Sequence, residues 1–333
     1  MEGHIYSEYG KMGMGVLRYL ENKIVCVIDS KYSNSNVKDH HSDLNPVPIV
    51  KDLEVAIQLG AEVLILGIAP SGGKVPSEWY PIIKKALIKG LSIVNGLHDL
   101  LNIHFSNLIH KTNQWIWDVR VPNFIPEIAT GKAAKLKNKR LLMVGTDMAC
   151  GKMTTALEFF SWFKEKGLNT GFIATGQIGI TITGDGIPLD AFKVDHACGA
   201  VETKVLENSN KDLIIIEGQG SLLHPGSTAT LPLIRGSCPT HLILCHRAEK
   251  QNLRYPDYIQ IPDLKKFIKL NEDLSNVCGA FPLAKCIGIS LNTSKLKDDE
   301  AKNVINKFKK MTNLPVTDPI RFGIGELAQN IFD

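Results

Sequence analysis

Residues 145–155 read Gly145, Thr146, Asp147, Met148, Ala149, Cys150, Gly151, Lys152, Met153, Thr154, Thr155. These are the residue types of an anion cradle. Two glycines bound a loop and a Gly-Lys pair opens a helix, so successive backbone N–H groups and a helix N-terminus face one point. Phosphate oxygens fit such a point, and Lys152 adds a mobile positive charge. The stretch departs twice from the pattern G-x-x-x-x-G-K-[ST]. It carries one extra residue between the glycines, and Met153 stands where a hydroxyl normally holds Mg²⁺. Thr154 lies one position further on, a rotation of about 100° on a helix, so it does not substitute. The loop is therefore suited to holding phosphates and poorly suited to hydrolysing a nucleotide. The plain alternative is a glycine turn without a ligand; the apolar run before it and the helical pattern after it favour a cradle.

A second stretch delivers the apolar run Leu213–Ile216 into Glu217, Gly218, Gln219, Gly220, Ser221, Leu222, Leu223, His224 and Pro225. A carboxylate carried by a buried strand into a glycine-rich turn can bind Mg²⁺ or accept a proton. His224 can act as acid or base, although a loop histidine satisfied by hydrogen bonds is the plainer reading of it alone. Weaker candidates follow other strands. They are Thr175 to Gly179, the loop carboxylate Asp185, Arg247 after Cys245 and His246, Asn292 before Thr293 and Ser294, and Arg321 within residues 318–323. Arg321 and Arg247 offer guanidinium groups that match a carboxylate bidentately. Each is singly more often scaffold than site, but all fall at strand C-terminal ends, where α/β sheets bind ligands.

In the first half, residues 68–74 have the small residues and lysine of an anion-binding turn, and residues 95–99 form a second polar turn. Asp29 follows its strand as a ribose-binding acid does. The first βα turn is not G-x-G-x-x-G, so NAD binding is discounted.

Positioning these groups requires short strands alternating with amphipathic helices, the rhythm of parallel α/β folds. Strands are expected at residues 24–28, 63–68, 91–94 and 115–119, and helices at 53–59 and 77–89. The second half starts with a strand at 141–144 and a helix at 153–166. Further strands are expected at 170–174, 213–216, 241–245 and 286–291, and final helices at 298–311 and 324–331. The expectation is a Rossmann-like domain over residues 1–125 and a phosphate-loop domain over residues 138–333. Between them, residues 132–140 (K-A-A-K-L-K-N-K-R) form the one basic cluster, read as a solvated linker in preference to a nucleic-acid contact.

Bulk properties agree with this. The chain has 333 residues, 44% hydrophobic and 22% charged, which suits two globular domains and excludes disordered and fibrous classes. A net charge of +4 favours small anionic ligands over nucleic acid. Cys26, Cys150, Cys198, Cys238, Cys245, Cys278 and Cys286 form no C-x-x-C pair, so reduced thiols in the cytoplasm are expected rather than disulfides or a metal site. No secretory signal and no stretch of about 18 apolar residues is present, so no membrane association is expected.

The 145–155 loop resembles the G-T-D-x-x-x-G-K-T loop of dethiobiotin synthetase and its relatives, and residues 217–220 resemble the E-G-A-G segment of dethiobiotin and cobyric acid synthetases. Six segments together resemble the DgcN-like family: residues 67–76 (G-I-A-P-S-G-G-K-V-P), 96–99 (G-L-H-D), 117–120 (W-D-V-R), 145–155, 217–225 and 318–323. That resemblance spans nearly the whole chain. It implies an N-terminal Rossmann-like domain, a C-terminal P-loop domain, and D-glutamate N-acetyltransferase activity with acetyl-CoA as co-substrate. No catalytic assignment comes with it. A CoA phosphate cradle also gives sense to the loop, since binding without hydrolysis needs no Mg²⁺ hydroxyl. The cradle residues are then Gly145, Thr146, Asp147, Cys150, Gly151, Lys152, Met153, Thr154 and Thr155, with Asn292 on the base. Acetyl transfer needs a base, Glu217 or His224, and oxyanion donors, the amides of residues 218–220. Gln219, Gly220, Ser221 and Arg247 or Arg321 are expected to hold an acidic amino acid. A homo-oligomer is expected, and the need for Mg²⁺ stays open. The alternatives are a Mg-ATP-dependent ligase or kinase of the dethiobiotin-synthetase type and a nucleotide-binding regulator.

Overall fold

Short apolar runs become strands here, but they find partners that their own pattern does not announce. The computed structural model describes residues 1–332. The chain divides into a first unit, Met1–Pro122 with Gln177–Ala191, and a second, Asn123–Gly176 with the chain from Phe192 onward.

In the first unit, β1 (Val27–Ile28), β2 (Ser35–Asn36) and β3 (Pro48–Val50) form one sheet in the order β1-β3-β2, with β1 parallel and β2 antiparallel to β3. β4 (Val63–Ile65), β5 (Ser92–Asn95) and β6 (Ile116–Asp118) form a separate parallel sheet in the order β4-β5-β6. The strand expected at residues 24–28 is only two residues long, because only Val27 and Ile28 find partners, Ile49 and Val50, before Asp29 caps a 3-10 turn with its carboxylate. Ile83, Leu87, Ile93 and Leu97 build the core around β5. The polar turn at residues 95–99 is internal: buried Asn95 donates to Asp118 Oδ1 at 2.8 Å, and Asp118 accepts the amides of Leu101 and Asn102. Residues 177–191 fall within the 138–333 span yet pack in the first unit. Their helix Gln177–Thr183 lies against Lys11–Tyr19, and Asp190 pairs with Arg120.

The second unit is built on six parallel strands. They are β7 (Lys139–Gly145), β8 (Thr170–Ile173), β9 (Leu213–Ile216), β10 (His241–Arg247), β11 (Lys285–Asn292) and β12 (Val316–Thr317), in the order β12-β11-β10-β7-β9-β8. β7 and β9 are apolar on both faces because helices cover both sides of a parallel sheet. The helix Lys152–Glu165 buries Phe159 and Phe163 against Leu141, Met143 and Ile215. All six strands run the same way, so the loops after β7, β8, β9, β10 and β11 emerge at one edge.

The basic segment 132–140 keeps Lys132, Lys135 and Lys137 in water, but it is part of the second unit and not a linker. Ala133 is fully buried in the turn Lys132–Lys135, and Glu202 accepts the amides of Thr130 and Ala133. Arg140 is 1% exposed and donates to the carbonyls of Leu136, Asn138, Ser237 and Cys238. These hydrogen bonds compensate the desolvated charge that composition alone placed in water. All seven cysteines are free thiols, and no helix among the described residues is long and apolar enough to cross a membrane.

Candidate active site

The cradle loop leaves β7 at Gly145 and is braced at every corner by the second unit. A Cβ on Gly145 would lie 2.6 Å from Cys150 Sγ and 3.0 Å from Lys152 Nζ, so only glycine admits the lysine's return path. Thr146 donates its amide to Cys245 O at 3.1 Å and shares a 2.9 Å hydrogen bond between Oγ1 and His246 Nδ1. Burial pushes His246 down to about 4, so its imidazole is neutral near pH 7. Asp147 accepts from the amides of Met148 and Arg254 at 2.7 and 2.8 Å. Ala149 adopts a left-handed φ of 50°, and its carbonyl receives two N–H groups of Arg247, at 3.1 and 2.6 Å.

Gly151, with φ 108°, turns the chain into the helix Lys152–Glu165. The first N–H groups of that helix have no intrahelical acceptor and face the loop's open side. Lys152 is buried, and its Nζ donates to Asp147 O at 2.7 Å with Cys150 Sγ at 3.6 Å. The positive charge is thus stored inside the loop. Met153 and Thr154 are half-buried on the first helical turn. Thr155 faces the core instead, its Oγ1 2.6 Å from Ser290 Oγ, which ties the helix to β11.

β9, beside β7, delivers Glu217 to the same edge. Its carboxyl is 2% exposed; Oε2 accepts the amides of Thr175 and Gly176 at 2.9 and 3.2 Å, and Gln219 Nε2 donates to Oε1 at 3.3 Å. Burial raises Glu217 to about 7, against the opposite pull of the two amides and the Lys152 charge. A carboxyl poised there exchanges a proton readily near neutrality. Gly218 is forced: a Cβ would meet Met143 O at 1.8 Å and Lys152 Cδ at 2.9 Å. The lysine stem therefore passes directly over the turn that carries Glu217.

His224 is buried with both ring nitrogens in use. Nδ1 accepts Gly226 N–H at 3.0 Å, which leaves Nε2 to donate to Tyr255 O at 2.6 Å. The ring shapes its loop rather than presenting a free nitrogen. Gly220, at φ 61°, and fully buried Ser221, whose Oγ accepts Leu223 N–H, complete that rigid turn.

Glu217, Gln219, Lys152 and the 145–154 backbone thus come together. Arg321 does not join them. It pairs with Asp298 and donates to Leu296 O at 2.7 Å, so its guanidinium is spent on the loop after β11. Asn292 ends β11, two strands from β7, and its Oδ1 accepts Ser294 N–H at 3.0 Å. Arg247, on β10 next to β7, brings a guanidinium to the cradle. Residues 250–261 carry no motif, yet consecutive residues there, Arg254 and Tyr255, hold Asp147 and His224. No local sequence signal announces that strap.

Residues 127–328 match the family model described as Domain of unknown function (DUF1611_C) P-loop domain. Residues 30–122 match that described as Domain of unknown function (DUF1611_N) Rossmann-like domain. A protein of Tritonibacter scottomollicae named D-glutamate N-acetyltransferase is 40% identical over 287 residues, covering 83% of each chain. A protein of the same name from Pseudoalteromonas sp. is 36% identical over 282 residues, again covering 83% of each. The crystal structure of a DUF1611 family protein from Anabaena variabilis ATCC 29413 superimposes with a TM-score of 0.95 at 43% identity, covering 99% of this chain and 97% of that one.

Proposed function

This chain belongs to the DUF1611 family, and we propose that it is an N-acetyltransferase moving acetyl from acetyl-CoA to the amine of an acidic amino acid, with D-glutamate the favoured acceptor. One observation carries the reading. A phosphate cradle with its lysine folded inside, and methionine at the Mg²⁺ hydroxyl position, lies beside a buried carboxyl raised to about 7. Such a cradle serves a phosphate-bearing carrier that is bound and released intact. The names of the two relatives, at 36% and 40% identity, point to the same chemistry.

In this reading the loop amides and Lys152 hold CoA phosphates, Lys152 adding a phosphate oxygen to its bond with Asp147 O. Glu217, as carboxylate, takes a proton from the acceptor's ammonium. The freed nitrogen attacks the thioester carbonyl carbon, a C–N bond forms, and the C–S bond breaks to release CoA. In this reading the amides of residues 218–220 donate to the developing oxyanion. Arg247 is favoured over Arg321 for the acceptor's carboxylates, since it stands one strand from the cradle. His224 is a positioning residue.

A Mg-ATP-dependent ligase or kinase is the second reading. It is favoured by the closeness of Lys152 and Glu217, a lysine at the helix start after one strand and a carboxylate after its neighbour being the usual setting of nucleotide phosphates and their metal. Thiol release from acetyl-CoA, measured with D-glutamate, L-glutamate and D-aspartate as separate acceptors, distinguishes the two. Release dependent on D-glutamate supports the transferase. No release with any acceptor, together with acid-stimulated ATP hydrolysis, overturns it.

A further inference from the structure

The first unit contains a cleft of about 720 Å³, a volume within the usual range of small-molecule sites. Cys26, Val27 and Ile28 form one wall, and Val63, Leu64 and Ile65 another. These are the outer strands of the two small sheets, β1 and β4, and each turns an unpaired edge to the cleft.

Register fixes which backbone groups stand there. Ser92 N–H bonds Glu62 O and Leu66 N–H bonds Val94 O, so Glu62, Leu64 and Leu66 face β5. Val63 and Ile65 therefore aim their N–H and C=O groups the other way. On β1, Asp29 N–H bonds Val50 O, so Cys26 and Ile28 face outward. Ile28 O already accepts the Met1 amino group at 2.7 Å. Cys26, Val63 and Ile65 have no backbone partner among the described residues.

A third feature lies in the cleft wall. Thr181, from the helix Gln177–Thr183, lines the cleft at 6% exposure, and its hydroxyl has no hydrogen-bond partner. A buried hydroxyl left unpaired is costly and rare. Trp115 and Trp117 add aromatic surface to the same cleft. Its charged side chains, Lys23 and Glu62, are exposed and opposite in sign, so nothing in it selects an anion.

We propose that this cleft is a second ligand site, specific for an uncharged, extended molecule that bears secondary amides. The amides complete the edges of β1 and β4 as a strand does, the apolar walls cover the chain between them, and the enclosed Thr181 hydroxyl gains a partner by rotating towards the ligand. The site is independent of the acetyl-transfer reading, because it uses no residue of the 145–155 loop or of the Glu217 turn.

Free pantetheine, an uncharged chain with two secondary amides and no phosphate, is the probe, titrated calorimetrically into the full chain. Saturable binding is expected, equal in wild type and Lys152→Ala, about tenfold weaker in Thr181→Val, and lost in Ala56→Phe, which fills the cleft. Hexanol, apolar without an amide, is expected to bind at least tenfold more weakly. Absence of pantetheine binding to wild type, loss of it in Lys152→Ala, or unchanged affinity in both Thr181→Val and a folded Ala56→Phe overturns the site. Hexanol binding as tight as pantetheine overturns the amide specificity.

Discussion

Lys152 Nζ donates to the carbonyl oxygen of Asp147 at 2.7 Å, so the cation of the cradle is held by the cradle's own backbone. The ammonium replaces its hydration with one carbonyl and keeps donors for a second partner. A phosphate oxygen entering the loop meets a charge that is already desolvated and needs little reorganisation.

Removing that charge tests the cradle. Lys152→Ala is expected to raise the Kd for CoA by about 10- to 100-fold, the scale of one charge-assisted contact. Calorimetric titration with CoA reads this directly, and an unchanged Kd refutes the phosphate role.

Glu217→Gln keeps an acceptor oxygen for the Thr175 and Gly176 amides and removes the titrating carboxyl. Acetyl transfer is expected to fall by about 10²- to 10⁴-fold with acetyl-CoA binding unaffected. In wild type the rate should rise with pH through about 7, where the carboxylate forms. A wild-type profile flat between pH 6 and 8 places the base elsewhere.

The same carboxyl makes stability pH-dependent. Its folded-state value, about 7, lies above the ordinary 4.5, so between those values the native state holds the extra proton. Stability is then greatest below about pH 4.5 and declines as pH rises through 7, by up to about 3 kcal/mol from this group. Chemical denaturation of wild type and Glu217→Gln across pH 5 to 8 should show the wild type losing ground to the variant as pH rises.

His224→Ala removes the two ring hydrogen bonds to the 220–227 turn and to Tyr255 O, leaving the backbone bonds of the turn in place. The expected result is a stability loss of about 1–3 kcal/mol and a raised KM. The pH profile of kcat should keep its wild-type midpoint. Disappearance of that midpoint makes His224 the base.

Two glycines should fail differently. Gly151→Ala meets no atom within 4 Å and suffers only from its φ of 108°, costing about 1–2 kcal/mol. Gly218→Ala drives a methyl into Met143 O at 1.8 Å, expected to cost about 4 kcal/mol or more and to displace Lys152 as well. Comparable unfolding midpoints for the two variants contradict this packing.

Most of the second unit is legible in the chain itself. The strand expected at 213–216 is β9 to the residue, and the helix expected at 153–166 is Lys152–Glu165, because apolar runs and glycine stops are local signals. The helix Val194–Glu207 has no clear sequence signal, because glycine and charges interrupt its stripe. In the first unit the strand order depends on Pro48–Val50, a run too short and too proline-marked to read as the partner of β1. At the site, residue types disclosed the cradle and Glu217. What Arg247, Arg321 and His224 bind depends on carbonyls and carboxylates far away in sequence, and periodicity carries no record of those.

The placement of Gln177–Ala191 bears on how the gene can be cut. A fragment ending at Pro122 keeps every strand of the first unit but loses the helix that covers Lys11–Tyr19. A fragment beginning at Asn123 carries that helix without the surface it packs on. No single break in the reading frame yields two complete halves, so recombination, domain shuffling and separate expression all meet the same obstacle. Two breaks, flanking residues 177–191, would be needed to part them.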